Sequence, residues 1–551
     1  MFVPKDLERD LGLYAVLAVS VGAMIGSGIF VLPGLAAKIA GPAVIVAYLL
    51  AGLLVLPAAL SKAEMATAMP ESSGTYLYID RTMGPRLGTI SGVGAWFSLV
   101  FKSAFALVGL GAYLLLFVPI PGNRVVLVSL GLAVLFLVVN VVGVKQSGRL
   151  QARIVSLVLI ALFVFIADGL TFVESMQYHP FFEEGSAGLL AATGFVSVSY
   201  AGVTKVASVA EEVENPGRNI PIAILGSVIL MMFVYTFITF VVIGVTPLGE
   251  LEASLTPMAV AAEQFLGGTG SVGVAVVAVL ALASMANAGI LSSSRFPLAM
   301  SRDDLAPSLS REIDPRSHTP VVAIRVTGTL LLGLVAFVPV VELAKLASAF
   351  KILVFSLVNV ALIAFRESDL ETYDSEFVAP GYPWVQLAGI GGGVVLLTQM
   401  GTLALAGAVG IILVGALWYR VYGRERTERE GAALDAIRRT TADYALDRTR
   451  ELLATGGERR VLIPVGSATT AERERDLLRL AADMLPQHTP TPDGGDARER
   501  TDGSTRFGAD TDVDTSMGIR VRGRWGPRRP FGHRHGPYGP FEPHEPGGRR
   551  P

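Results

Sequence analysis

The sequence predicts an all-α protein that crosses a membrane about twelve times, with its first and sixth spans interrupted at mid-depth. Three observations carry the prediction. Apolar stretches of roughly twenty residues, the length that spans a hydrocarbon core, recur from Leu11 to Tyr422. The 551 residues are 52% hydrophobic and only 17% charged, with a mean hydropathy of +0.54; a water-soluble chain of this length carries more charge. Glycine and small polar residues crowd the middle of two stretches, VGAMIGSGIFVLPG at 21–34 and SYAGVTKVAS at 199–208.

Taken in order, the spans fall near 11–32, 42–60, 88–118, 122–143, 154–173, 188–206, 220–245, 272–295, 320–339, 343–365, 385–400 and 402–422. Turn chemistry separates them: Gly41-Pro42, PIPG from Pro119, ENPGRNIP from Glu214, PRSHTP from Pro315 and APGYP from Ala379. The first run is not a cleaved signal, because its leader KDLERD mixes charges and more spans follow. Basic residues gather at the N-terminus (Lys5, Arg9) and in alternate loops, for example Arg81 and Arg86, Lys145 and Arg149, Arg302 and Arg311, Arg420 and Arg424. By the positive-inside rule both termini are then cytoplasmic, in a plasma membrane.

The domain reading is a cytoplasmic N-terminus at 1–10 and a transmembrane domain at 11–423. A charged amphipathic helix follows at 424–458, with Leu434, Ile437, Tyr444 and Leu452 at helical spacing. Residues 459–486 read as a strand, a loop and a helix. From 487 to 551 the chain is rich in Gly, Pro, Arg, Asp and His and is expected to be disordered.

Bare backbone at membrane depth costs several kcal/mol per unsatisfied group, so it persists only where protein or a ligand covers it. Gly22, Gly26 and Gly28 permit a break and close approach to the main chain. A half-helix starting there points N–H groups and partial positive charge into the gap, which suits a carboxylate. Gly22 and Gly26 also form a GxxxG, so tight helix packing is the competing explanation for that span alone. Gly202 supplies a second interruption five spans later. Two interrupted helices at matching places in two five-helix halves point to an inverted-repeat transporter with its site at the midplane.

GAMIGSGIFVLPG at 22–34, SKAEMATAMPESSGTYLYI at 61–79, AEEVENPGRNIP at 210–221 and SSSRFPLAMSRDDLAP at 292–307 resemble amino acid permeases of the amino acid–polyamine–organocation superfamily. The similarity runs through about residues 6–423. It implies the five-plus-five inverted-repeat fold, LeuT-like, with two trailing spans, and alternating access of an amino acid rather than enzymatic chemistry. The 459–486 segment resembles the opening of a universal-stress-protein domain but stops after one β–α unit, too little to bury a core or hold a nucleotide.

The resemblance implies that main-chain N–H groups around Ile25, Gly26, Ser27, Gly28 and Ile29 hold the substrate carboxylate, with the Ser27 hydroxyl assisting. The carbonyls of Ser199, Tyr200 and Ala201, beside Gly202, would take the α-ammonium. Val198, Ala201 and Thr204 would shape the side-chain pocket. Many relatives carry an acid where Thr204 stands, so its absence points to a neutral amino acid. Some proton-coupled relatives carry a lysine in span five where Val158 stands here, so that route does not transfer.

Lys102 and Lys205 lie within spans, where a lysine costs about 2.5–3.5 kcal/mol on insertion scales and is a functional candidate. Both are coupling-ion candidates, with Lys205 favoured because it follows the second break; snorkelling or pairing with Glu211 or Glu212 would also explain it. Ser284 and Asn287 are candidates for a sodium site between spans eight and one, although serines in such helices often bond their own backbone. The coupling ion is a proton or sodium. An exchanger, a polyamine carrier and an amino acid sensor on the same fold are the alternatives. The absence of cysteine excludes disulfides, thiolate metal sites and cysteine nucleophiles. No spacing suits a dedicated metal site, and no cofactor or nucleic-acid partner is expected. The partners are the amino acid, the coupling ion and the bilayer.

Overall fold

The computed structural model describes residues 11–69, 75–118, 124–143, 148–252, 254–315, 317, 319–368, 373–427, 431–432, 458–463, 513–514 and 518–524. Among them, nine helices are long and apolar enough to cross a membrane, and three shorter apolar ones complete the expected dozen: Leu13–Met24, Val321–Phe337 and Trp384–Gln399. The chain is an all-α polytopic membrane protein in this region.

The spans differ in what surrounds them. In the third, Pro85–Leu114, 83% of the apolar window is buried within the protein, against 17% for the fourth, Val125–Val142. The third span is therefore a central post, packed against the eighth and tenth, whereas the fourth presents Leu127, Leu135 and Val138 outward. Outward apolar side chains are stable here because lipid, not water, is the expected neighbour.

The first span is interrupted as the glycines require. Its opening half, Leu13–Met24, ends at Ile25 in extended conformation. Gly26 takes φ 158° and ψ −132°, after which Ser27–Phe30 and Leu32–Ala40 resume the helix. The sixth span takes a different form from a simple gap. Its α-helix, Gly185–Val196, tightens into a 3₁₀ run, Ser197–Ser208. Such a run keeps i→i+3 bonds where an open break would expose main chain to an apolar medium.

Short connections hold the broken spans in place. Leu11 pairs with the strand-like Val213, with Leu11 N–H to Glu212 O at 2.9 Å and Glu214 N–H to Leu11 O at 3.1 Å. The start of span one is thereby tied to the end of span six. At the other side, Gly34 packs on the loop after span seven: a Cβ there would lie 2.7 Å from Leu251 O. The helix Pro257–Arg302 bends at Gly267 (φ 67°), which separates its first turns from span eight proper.

Glu64, at the end of span two (Val44–Ala68), forms an ion pair with span ten. Arg366, ending span ten (Val340–Glu367), donates to both its oxygens at 2.8 and 2.6 Å. The Ala379 N–H and the Tyr373 hydroxyl add bonds at 2.7 and 3.2 Å.

A separate unit comprises 438–551. A strand, Glu458–Ile463, pairs antiparallel with Gly518–Arg524. That second strand also pairs with Val513–Asp514, inside the stretch expected to be disordered. Nearly all of the amphipathic-helix segment, and the helix of the universal-stress-protein-like unit, lie outside the described residues.

Candidate functional site

The two interruptions meet. Gly28 faces Ser199 so closely that a Cβ on it would sit 2.7 Å from the Ser199 Cβ, and Gly202 lies against the Ala23–Met24 main chain. Only glycine allows two main chains to approach this far, which explains their placement better than helix packing within span one alone.

Breaking a helix frees carbonyl oxygens that need donors, and tyrosines supply them. The Tyr235 hydroxyl of span seven (Pro216–Val245) reaches Met24 O at 2.7 Å and Ser199 O at 3.2 Å, so one hydroxyl serves both breaks. Tyr48 donates to Gly28 O at 2.7 Å and Tyr113 to Phe30 O at 2.8 Å, while Tyr200 of the sixth span donates to Tyr48 O in the unbroken second span at 2.8 Å. All four rings are fully buried. Sequence reading missed Tyr48, Tyr113 and Tyr235; the available signal was a tyrosine inside a span, away from the interfacial belts where the residue is usual.

The donors of span one are only partly open. Ile29 N–H turns back to Gly26 O at 3.0 Å. Ser27 N–H points instead at the thioether of Met285 on span eight, with N···S 3.2 Å, and its hydroxyl lies 3.6 Å from the same sulfur. Sulfur is a weak acceptor, so a carboxylate would compete well for these donors.

A cavity of about 540 Å³ opens beside the breaks. Gly22, Ala23, Ala201, Gly202 and Met285 line its inner end, and Arg81, Arg302 and Asp303 line it where spans two, three and eight end or begin. Its size is that of a small-molecule site. Lys102 and Lys205 both line it. Lys102 Nζ donates to Ala23 O at 3.2 Å, in the last turn of the first half-helix. That turn carries the partial negative end of the helix dipole, where a cation is favoured.

The remaining expected residues divide. Ile25, Gly26, Ser27, Gly28, Ile29, Val198, Ser199 and Tyr200 are buried around the breaks without lining the cavity; of the expected contacts, Ala201 and Gly202 line it. Thr204 falls within the 3₁₀ run, and its side chain is outside the described residues. Asn287 accepts a hydrogen bond from Asn140 of span four at 2.6 Å, which directs it away from the cavity wall. Ser284 is half-buried on the same helix and does not line the cavity. Lys351 of span ten was overlooked: it is buried and lies 4.9 Å from the Phe355 ring centre. Its signal was the one that drew attention to Lys102, a lysine inside an apolar run.

Comparison with known proteins agrees with the motifs. A family model described as amino acid permease matches residues 11–421. The chain is 29% identical over 448 residues to the branched-chain amino acid permease BcaP of Bacillus subtilis (strain 168), covering 77% of this chain and 95% of that protein. It is 28% identical to the methylthioribose transporter of the same organism, with the same coverage. It is also 27% identical over 392 residues to the vacuolar cationic amino acid transporter 4 of Arabidopsis thaliana, covering 66% and 64% of the two chains.

Proposed function

The chain belongs to the amino acid permease family, and from that premise we propose that it is a secondary active transporter of neutral amino acids, working by alternating access across the plasma membrane. The observation that carries the proposal is the meeting of the two broken spans beside a cavity of about 540 Å³ that Ala23, Ala201 and Gly202 help to line.

In this reading the substrate carboxylate displaces the Met285 sulfur from the Ser27 N–H and hydroxyl. A carboxylate gains a charge-assisted bond there that sulfur cannot offer. The α-ammonium then meets main-chain oxygens near Ser199, in exchange with the Tyr235 hydroxyl. Charge disfavours a cationic substrate: the cavity wall holds Arg81, Lys102, Lys205, Arg295 and Arg302 against Glu211 and Asp303. A substrate with a second positive charge would be repelled. The name of the branched-chain permease relative agrees with this class.

Lys102 is the better-supported coupling group. Its ammonium already sits at Ala23 O, a position at which a helix C-terminus would otherwise call for a free cation. Proton loss from Lys102 would release the first half-helix from span three, which favours a proton over sodium as the driving ion. By the positive-inside rule the cavity faces the cytoplasm and both termini lie there.

The test is uptake into proteoliposomes in a competition panel of the common amino acids, with pH and sodium gradients imposed separately. Saturable uptake of a neutral amino acid under a pH gradient is the expected result. Binding without movement would instead mark a sensor.

A further inference from the structure

The cavity wall contributed by span eight has an order that substrate binding at the breaks does not require. Met285, Ser292, Arg295 and Arg302 all line the cavity and fall on one face of the helix. At 1.5 Å per residue, Arg295 stands about 15 Å along the helix from Met285, and Arg302 about 10 Å further. Arg81, on the short helix Thr75–Met83, lines the cavity as well. Arg81, Arg295 and Arg302 are exposed, and none of the three forms an ion pair among the described residues. Lys205 and Lys102 line the same cavity, and Lys102 reaches Ala23 O.

The opposing charges are few. Glu211 and Asp303 are the acids on the wall, and Asp303 accepts a hydrogen bond from Tyr76 at 2.7 Å. A cleft lined mainly by one sign of charge raises the local concentration of groups of the opposite sign. Arg295 and Arg302, about 10 Å apart along the helix, are near one Debye length from each other at physiological salt. A carboxylate passing between Arg295 and Arg302 stays within about a screening length of one or the other, and guanidinium suits it through two parallel N–H bonds.

We propose that Arg81, Arg295 and Arg302 form a charge filter in this cavity, conducting the substrate by its carboxylate and rejecting solutes of net positive charge. The proposal rests on the transport reading for its direction but names a function of residues remote from the broken spans. It makes the discrimination between neutral and cationic amino acids partly a property of the path, separate from the contacts at Ser27 and Ser199.

The experiment compares wild type with R81Q/R295Q/R302Q and with R81K/R295K/R302K, using leucine and lysine as probes in proteoliposomes of determined orientation. In the glutamine variant, the KM for leucine presented from the arginine-lined face should rise about tenfold, the order expected from losing charges within a screening length. The ratio of lysine to leucine transport should rise by a similar factor, and the lysine-substituted variant should restore both. Raising KCl on that face from about 0.05 to about 0.5 M, which shortens screening severalfold, should weaken leucine for wild type and leave the glutamine variant flat. Unchanged KM and unchanged lysine-to-leucine ratio in the glutamine variant would overturn the filter. Leucine binding to purified protein reads the same salt dependence without transport. If wild type binds but does not move leucine, the transport reading fails while a salt-sensitive, arginine-dependent affinity still supports the filter.

Discussion

Gly202 lies so close to Met24 that a Cβ on the glycine would stand 2.5 Å from the Met24 nitrogen. The clash would be with main chain, which no side-chain rotation relieves. Gly202→Ala should therefore push span six off span one and reduce uptake to background. Gly28→Val should do the same through Ser199. Membrane insertion and a monodisperse chromatographic profile should persist in both. Uptake retained in both variants would return the glycines to a packing role.

Tyr235 serves Met24 O and Ser199 O with one hydroxyl. Tyr235→Phe leaves buried oxygens short of a donor, at a cost of about 1–3 kcal/mol. The thermal unfolding midpoint in detergent should fall measurably. Added substrate should recover part of the loss, because its ammonium can replace the missing donor and ligands that bind the native state stabilise it.

Lys102→Met removes the cation from Ala23 O. Accumulation driven by a pH gradient should be lost, while counterflow between equal amino acid pools should continue. If Lys205→Met carried that phenotype instead, the coupling group would be on span six.

Glu64 is 1% exposed and Arg366 19%. Glu64→Gln leaves the guanidinium facing a neutral amide in a largely buried site and should cost about 3 kcal/mol, the lower end for breaking a buried pair. Thermal denaturation of the purified variant checks this directly.

The chain has no cysteine, so a single introduced thiol reports its own surroundings. Ser292→Cys on the cavity wall should react with a membrane-impermeant thiol reagent from the cytoplasmic face of oriented vesicles. Saturating substrate should slow that reaction. Reaction from the opposite face alone would invert the assigned topology.

The spans were legible because length and apolarity suffice to mark them, and all twelve expected stretches correspond to apolar helices. The break in span one was legible from Gly26 and Gly28, whose absence of a side chain is itself the signal. What covers the break was not. Tyr235 and Ser199 are 36 positions apart, and Met285 is 258 positions from Ser27; no local pattern records such pairs. The same holds for Asn287, which by composition could have served an ion and by position meets Asn140. The form of span six was also beyond local reading, since small residues permit an open gap and a 3₁₀ run equally.

The bond between Glu64 and Arg366 joins residues 302 positions apart. At the ribosome's pace of about 5–20 residues per second, roughly 15–60 s separate the synthesis of the acid from that of its counter-charge. During that interval the second span waits with a carboxylate that has no guanidinium to receive it. A chain cut before residue 366 lacks the guanidinium that offsets Glu64, so an acid that is 1% exposed in the folded protein has to stay in water or take up a proton.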